Sequence, residues 1–175
     1  MGGRNFENTD RRGAAIEKAI LTASAIALFV VGYFWVGHST DPSRARELMT
    51  PLDAQIPFLP ATVWIYLWVF PASVIPVFLV RCRYLFRRTI LAYVIVMTLS
   101  YVCFVAFPVT SLHLRVSTYD LDVTRFSEWA VALLYVLDPP YNLFLSLHLS
   151  IAALAPISVC RADWRYGLVT GLRAA

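Results

Sequence analysis

Charge is scarce in this chain. Only 15% of its 175 residues are Asp, Glu, Lys or Arg, and 59% are apolar; a soluble domain carries roughly 25% and 45–50%. That balance excludes a disordered chain and argues against an ordinary water-soluble globule. Cysteine is scarce too. Cys82, Cys103 and Cys160 are odd in number, and Cys103 lies inside an apolar block. They set no disulfide framework and read as small packing residues. No Cys/His spacing resembles a metal site. Lysine occurs once, as Lys18; the other 14 basic residues are arginines at the ends of apolar blocks rather than in one patch. The net charge of +4 therefore reads as membrane topology, not as a nucleic-acid surface.

What is present is long uncharged runs. Residues 19–37 give 19 such positions, 56–80 give 25, 89–112 give 24 and 139–160 give 22. A bilayer core of about 30 Å needs about 20 helical residues. The fold expected is an all-α integral membrane protein with four transmembrane helices, at about 19–38, 60–80, 89–109 and 143–160. The first run is too long for a signal h-region and no small-residue cleavage site follows it, so it reads as a retained span. Pro71 and Pro76 should kink the second span. Residues 81–88 (RCRYLFRR) read as a short basic loop. The nine apolar residues 129–137 cannot cross a bilayer and read as a short interfacial or re-entrant helix ended by Asp138-Pro139-Pro140. Residues 1–18 read as a disordered tail and 161–175 as a second tail, flanking one transmembrane domain at 19–160.

Lys and Arg divide unevenly between alternate sides. Eleven fall at the tails and residues 81–88, and four (Arg44, Arg46, Arg115, Arg125) fall in the loops 38–59 and 110–142. The positive-inside rule then puts both termini in the cytoplasm of a plasma or cell membrane. The two exterior loops carry seven of the eleven acidic residues.

The stretch DPPYNLFLSLHLS, Asp138 to Ser150, is the informative one. A histidine one turn into a membrane helix is costly and is a functional candidate by default. The amides of a helix start near Asn142 to Leu145 carry the positive end of the dipole and suit a phosphate. Ser146 adds a hydroxyl donor, and His148 can donate a proton to a leaving oxygen. A purely structural His148, hydrogen-bonded to a neighbouring helix, remains equally open from composition. Arg115 reads either as a phosphate ligand or as a solvated loop arginine, and His113 as a bystander. Trp64, Tyr66, Trp68 and Trp129 read as an aromatic belt, and Asp120, Asp122 and Glu128 as a solvated acidic loop.

These residues resemble the central motif of the type-2 phosphatidic acid phosphatase superfamily, in its inositol phosphorylceramide synthase-like branch. That branch has Asn, a hydrophobic pair and then Pro-Ser-Leu-His at the fourth span. Asn142, Phe144, Ser146, Leu147 and His148 fit, with Leu145 where Pro is usual. Asp53-Ala-Gln-Ile-Pro-Phe-Leu-Pro60 and the following VWIY resemble the segment entering the second span. The resemblance implies the first two-thirds of a six-helix bundle that hydrolyses or transfers a lipid phosphate ester at the outer face of the membrane, with no metal or organic cofactor. His148 would be the general acid, and Ser146, Arg115 and Asn142 would bind phosphate.

Two departures stand out. The first motif, Lys-x6-Arg-Pro, is incomplete, since no lysine precedes Arg115 and Val116 replaces Pro. The third motif, Ser-Arg-x5-His-x3-Asp, which supplies the nucleophilic histidine, is absent, as though the chain stopped before it. The expectation is a lipid phosphatase or phosphotransferase-type protein, inactive as this chain alone. The alternative is a catalytically silent membrane protein or one half of a split enzyme. Its partners would be membrane lipids, and it would self-associate around the fourth helix or meet a complementing chain.

Overall fold

The computed structural model describes residues 3–48, 50–141 and 146–162. It is mostly helical, with α1 at Gly3–Ser39, α2 at Val63–Leu79, α3 at Arg83–Ala106, α4 at Phe126–Leu137 and α5 at Leu147–Ala162. Three stretches, Arg12–Ser39, Pro60–Leu79 and Arg83–Ala106, are long and apolar enough to cross a membrane. α5 has 16 residues, about 24 Å at 1.5 Å per residue. Residues 142–145, which belong to the expected fourth span, lie outside those described. The later ones, from 163 on and including Asp163, do as well.

Two boundaries differ from the sequence reading. α1 begins at Gly3 rather than after a disordered tail to residue 18. Ala14, Ala15, Glu17 and Lys18 are good helix formers, and the latter two have partners across the bundle. The Arg87 side chain donates to Glu17, and Lys18 Nζ donates to the carbonyls of Val77 and Val80. Those carbonyls belong to the last turn of α2, where acceptors lack helical partners and a cation is favoured. RCRYLFRR is not a loop either. α3 starts at Arg83, so the α2–α3 connection is only residues 80–82. Arginine is itself a good helix former, and Val80, Phe86 and Ile90 bury together beneath it.

Pro71 and Pro76 both lie within a continuous α2. Donors nearby take up carbonyls of this helix: Ser73 Oγ bonds Phe70 O at 2.7 Å, and Tyr93 from α3 bonds Ser73 O at 3.3 Å.

α1 packs on α3, and α5 packs on both α2 and α3. The central core is Tyr33, Val36, Tyr93, Met97, Phe104, Leu147 and Ile151. α4 lies where α2 begins, burying Ala130 and Val131 against Val63 and Leu121. Trp64 on α2 stacks on Phe126 at 4.8 Å and donates to Ser127 Oγ at 3.0 Å. Where α1 and α3 finish, a two-residue parallel ladder pairs Arg46 with Val109 and Glu47 with Thr110 (β1, Arg46–Glu47; β2, Val109–Thr110). Sequence periodicity offers no signal for a pairing this short. It ties the loop after α1 to the loop after α3, and so steadies the end of the bundle where α2 and α5 begin.

Candidate functional site

Arg115 is not a solvated loop residue. Its backbone follows a 3-10 turn, Leu112–Leu114, which is pinned by the Ser111 amide bonding Pro140 O at 2.8 Å. α4 ends at Leu137 because Asp138 precedes a proline and takes an extended backbone, φ −96° and ψ 113°. That ending leaves last-turn carbonyls without helical partners. Arg115 takes them: Nη1 bonds Tyr135 O at 3.0 Å and Nη2 bonds Asp138 O at 2.9 Å. Nη2 also reaches Asp138 Oδ2 at 3.3 Å, and Nε reaches Ser111 Oγ at 3.3 Å. The guanidinium lies over the Tyr135 ring, 4.9 Å from its centre. Side-chain exposures of 14% for Arg115 and 23% for Asp138 make this a largely buried pair, so solvent screens it weakly. The other carboxylate oxygen of Asp138 accepts from the Tyr33 hydroxyl of α1.

His148 is the second residue of α5. Its Nδ1 lies 3.1 Å from the Tyr66 hydroxyl. Tyr66, Phe70 and Tyr33 surround the ring at 4.2, 5.2 and 6.3 Å between centres. Tyr66 is therefore more than a belt anchor. It was legible as α2 sequence, but only packing brings it to a residue 82 positions away. A phenol proton donated to Nδ1 leaves a neutral ring with its own proton on Nε2. That Nε2 is buried with no hydrogen-bond partner, which is uncommon enough to need a reason.

Ser146 sits at the N-cap of α5, where its Oγ accepts from the Leu149 amide at 3.3 Å. The hydroxyl proton remains for a ligand. Ser146, His148 and Arg115, three of the four site residues read from sequence, line one cavity of about 260 Å³ with Tyr33, Tyr66 and Asp138. The fourth, Asn142, lies outside the described residues. On its other side His148 also borders an apolar cavity of about 320 Å³ among α1, α2, α3 and α5. The imidazole is thus part of the wall between a polar and an apolar space.

Comparison with protein-family models, curated proteins and solved structures gives no match.

The other candidates stand apart. His113 does not line the polar cavity, and its two ring nitrogens are buried without hydrogen bonds. The amide and hydroxyl of Thr50, with nearby His113, hold the Asp53 carboxyl below the usual carboxylate range. The acidic loop closes on itself: Glu128 accepts from the Asp122 amide at 2.7 Å, and Arg125 pairs with Asp122 at 3.4 Å. The hydroxyl and amide of Thr124 keep the Asp122 carboxyl low. Among the described residues no group of three His, Cys, Asp or Glu side chains is placed to hold a metal ion.

Proposed function

We propose that this chain is a four-span membrane protein that holds the phosphate ester of a lipid at the exterior face. In this reading α5, with the residues preceding it, forms the fourth span. The observation that carries the reading is the partnerless His148 Nε2 in a cavity shared with Arg115 and Ser146. There the Ser146 hydroxyl and the first-turn amides of α5 receive phosphate oxygens, since a helix N-terminus favours an anion. Arg115 assists, Asn142 is the remaining ligand, and His148 protonates the leaving oxygen.

A complete displacement at phosphorus also needs a nucleophile opposite the leaving oxygen. The sequence contains three histidines. His38 bonds Phe34 O at 2.8 Å along α1, and neither it nor His113 lines the cavity. His148 cannot occupy both ends of one in-line displacement. One observation favours a catalytically silent protein: most Arg115 donors are already spent on Asp138 and on the end of α4. The expected result is that purified residues 1–175 show no turnover of phosphatidic acid or an aryl phosphate above the His148→Ala background. Turnover that His148→Ala abolishes would show a complete site, formed by this chain or by its self-assembly. Addition of a complementing chain bearing the nucleophile should, in contrast, restore activity that depends on His148.

The orientation has its own test. The Glu17–Arg87 pair and Lys18 mark one end of the bundle, while the cavity lies at the other, beside Arg115. In a background with Cys82, Cys103 and Cys160 replaced, single cysteines at Ser43 or Thr118 should react with an impermeant reagent from outside. A cysteine at Arg83 should not. The reverse pattern would put the cavity in the cytoplasm and end the exterior-face proposal.

A further inference from the structure

We propose that Asp138 competes with incoming anions for Arg115, and so sets how tightly the polar cavity holds a phosphate; this rests on the phosphate reading of that cavity. Asp138 is the sole acidic side chain among the described residues lining it. Its two carboxylate oxygens have different partners, Tyr33 on one and Arg115 Nη2 on the other. A guanidinium offers five N–H donors, and the bonds from Arg115 to Ser111, Tyr135 and Asp138 use four of them. Two of the four go to backbone carbonyls at 3.0 and 2.9 Å, which hold the guanidinium whether or not the carboxylate is engaged. The Oδ2 contact, at 3.3 Å, is the one an anion can replace while the arginine stays seated.

An oxygen arriving there takes up the Nη2 donor and finds the fifth donor, on Nη1, unspent. Paired donors of this kind are what make arginine a phosphate ligand. The released carboxylate keeps its bond from Tyr33, so it has a resting place within the cavity. It also remains a negative charge beside the bound anion. In the free protein the Arg115 and Asp138 charges cancel, and the cavity attracts an anion far less than a bare arginine would. Substituting Asp138 by a neutral residue should therefore strengthen anion binding. A purely structural ion pair predicts no such gain.

The test is calorimetric titration of inorganic phosphate into detergent-solubilised residues 1–175 at fixed ionic strength, with the thermal midpoint measured alongside. Asp138→Asn should bind phosphate at least tenfold more tightly than the parent. Adding Arg115→Met to that variant should abolish the gain. Should the asparagine variant not fold, Asp138→Ser removes the same charge and is read the same way. Equal or weaker binding by a folded Asp138 variant, with the parent still binding, overturns the competition and leaves the phosphate reading intact. Absence of phosphate binding in both folded proteins overturns the two together.

Discussion

Arg115→Met should cost about 3–5 kcal/mol of stability, the usual loss when one partner of a buried ion pair is removed. The methionine leaves the Asp138 carboxylate facing a hydroxyl alone, and it abandons the carbonyls of Tyr135 and Asp138 at the end of α4. Buried acceptors without partners cost about 1–3 kcal/mol each, partly offset where water reaches them. The double variant Arg115→Met/Asp138→Asn should recover part of the loss, because deleting a whole buried pair is often close to neutral. Recovery should stop short of the parent, since the carbonyls stay uncapped. Equilibrium unfolding in mixed detergent measures all three. A single variant within about 1 kcal/mol of the parent would show that water already does the capping and that Arg115 is no clamp.

The second large effect lies in the contact between α1 and α3. A Cβ on Gly32 would come 2.4 Å from Tyr101 Cε2 and 2.9 Å from Cζ, so the ring must move. It is not free to move cheaply. The Tyr101 hydroxyl donates to the carbonyls of Leu28 and Phe29, at 3.2 Å each. Overpacking of this kind costs about 1–3 kcal/mol, and the displaced hydroxyl adds about 0.5–1.5 kcal/mol. Small residues allow close helix approach where no hydrophobic effect drives association within the lipid. Gly32→Ala should thus destabilise, Gly32→Leu should do so more, and Tyr101→Ala should suppress the alanine variant. Gly13 is the internal control, since a Cβ there meets nothing within 4 Å. Gly13→Ala should be neutral or slightly stabilising. Equal effects at the two glycines would remove the steric argument.

The site was partly legible because its chemistry sits in one short stretch. Asp138-Pro139-Pro140 must break a helix, since proline restricts the residue before it, and α4 does end at Leu137. Ser146 and His148 then fall at the start of the next helix, where cap and first turn are local properties of the chain. Arg115 could be nominated but not decided. A basic residue in a polar connection looks the same whether it faces water or a helix end. Tyr33 and Asp138 gave no sign of meeting, because nothing local relates α1 to the end of α4.

The sequence by itself determined the helices long and apolar enough to cross a membrane, because uncharged runs of bilayer length are a property of composition along the chain. It determined a short helix over 129–137 and its stop, which the structure extends back to Phe126, and it placed Ser146 and His148 within one turn of each other. Only the tertiary structure decided which side chains meet. It put Tyr66 on His148 Nδ1 and left Nε2 buried in the cavity, and it spent Arg115 on Asp138 and the end of α4. It also made helix of residues 83–88 and of the segment before residue 19. The reason is one of range. Helix ends and bilayer-length runs depend on neighbours a few residues away. An ion pair spanning 23 positions, or a phenol–imidazole contact spanning 82, exists only once α2, α4 and α5 have packed.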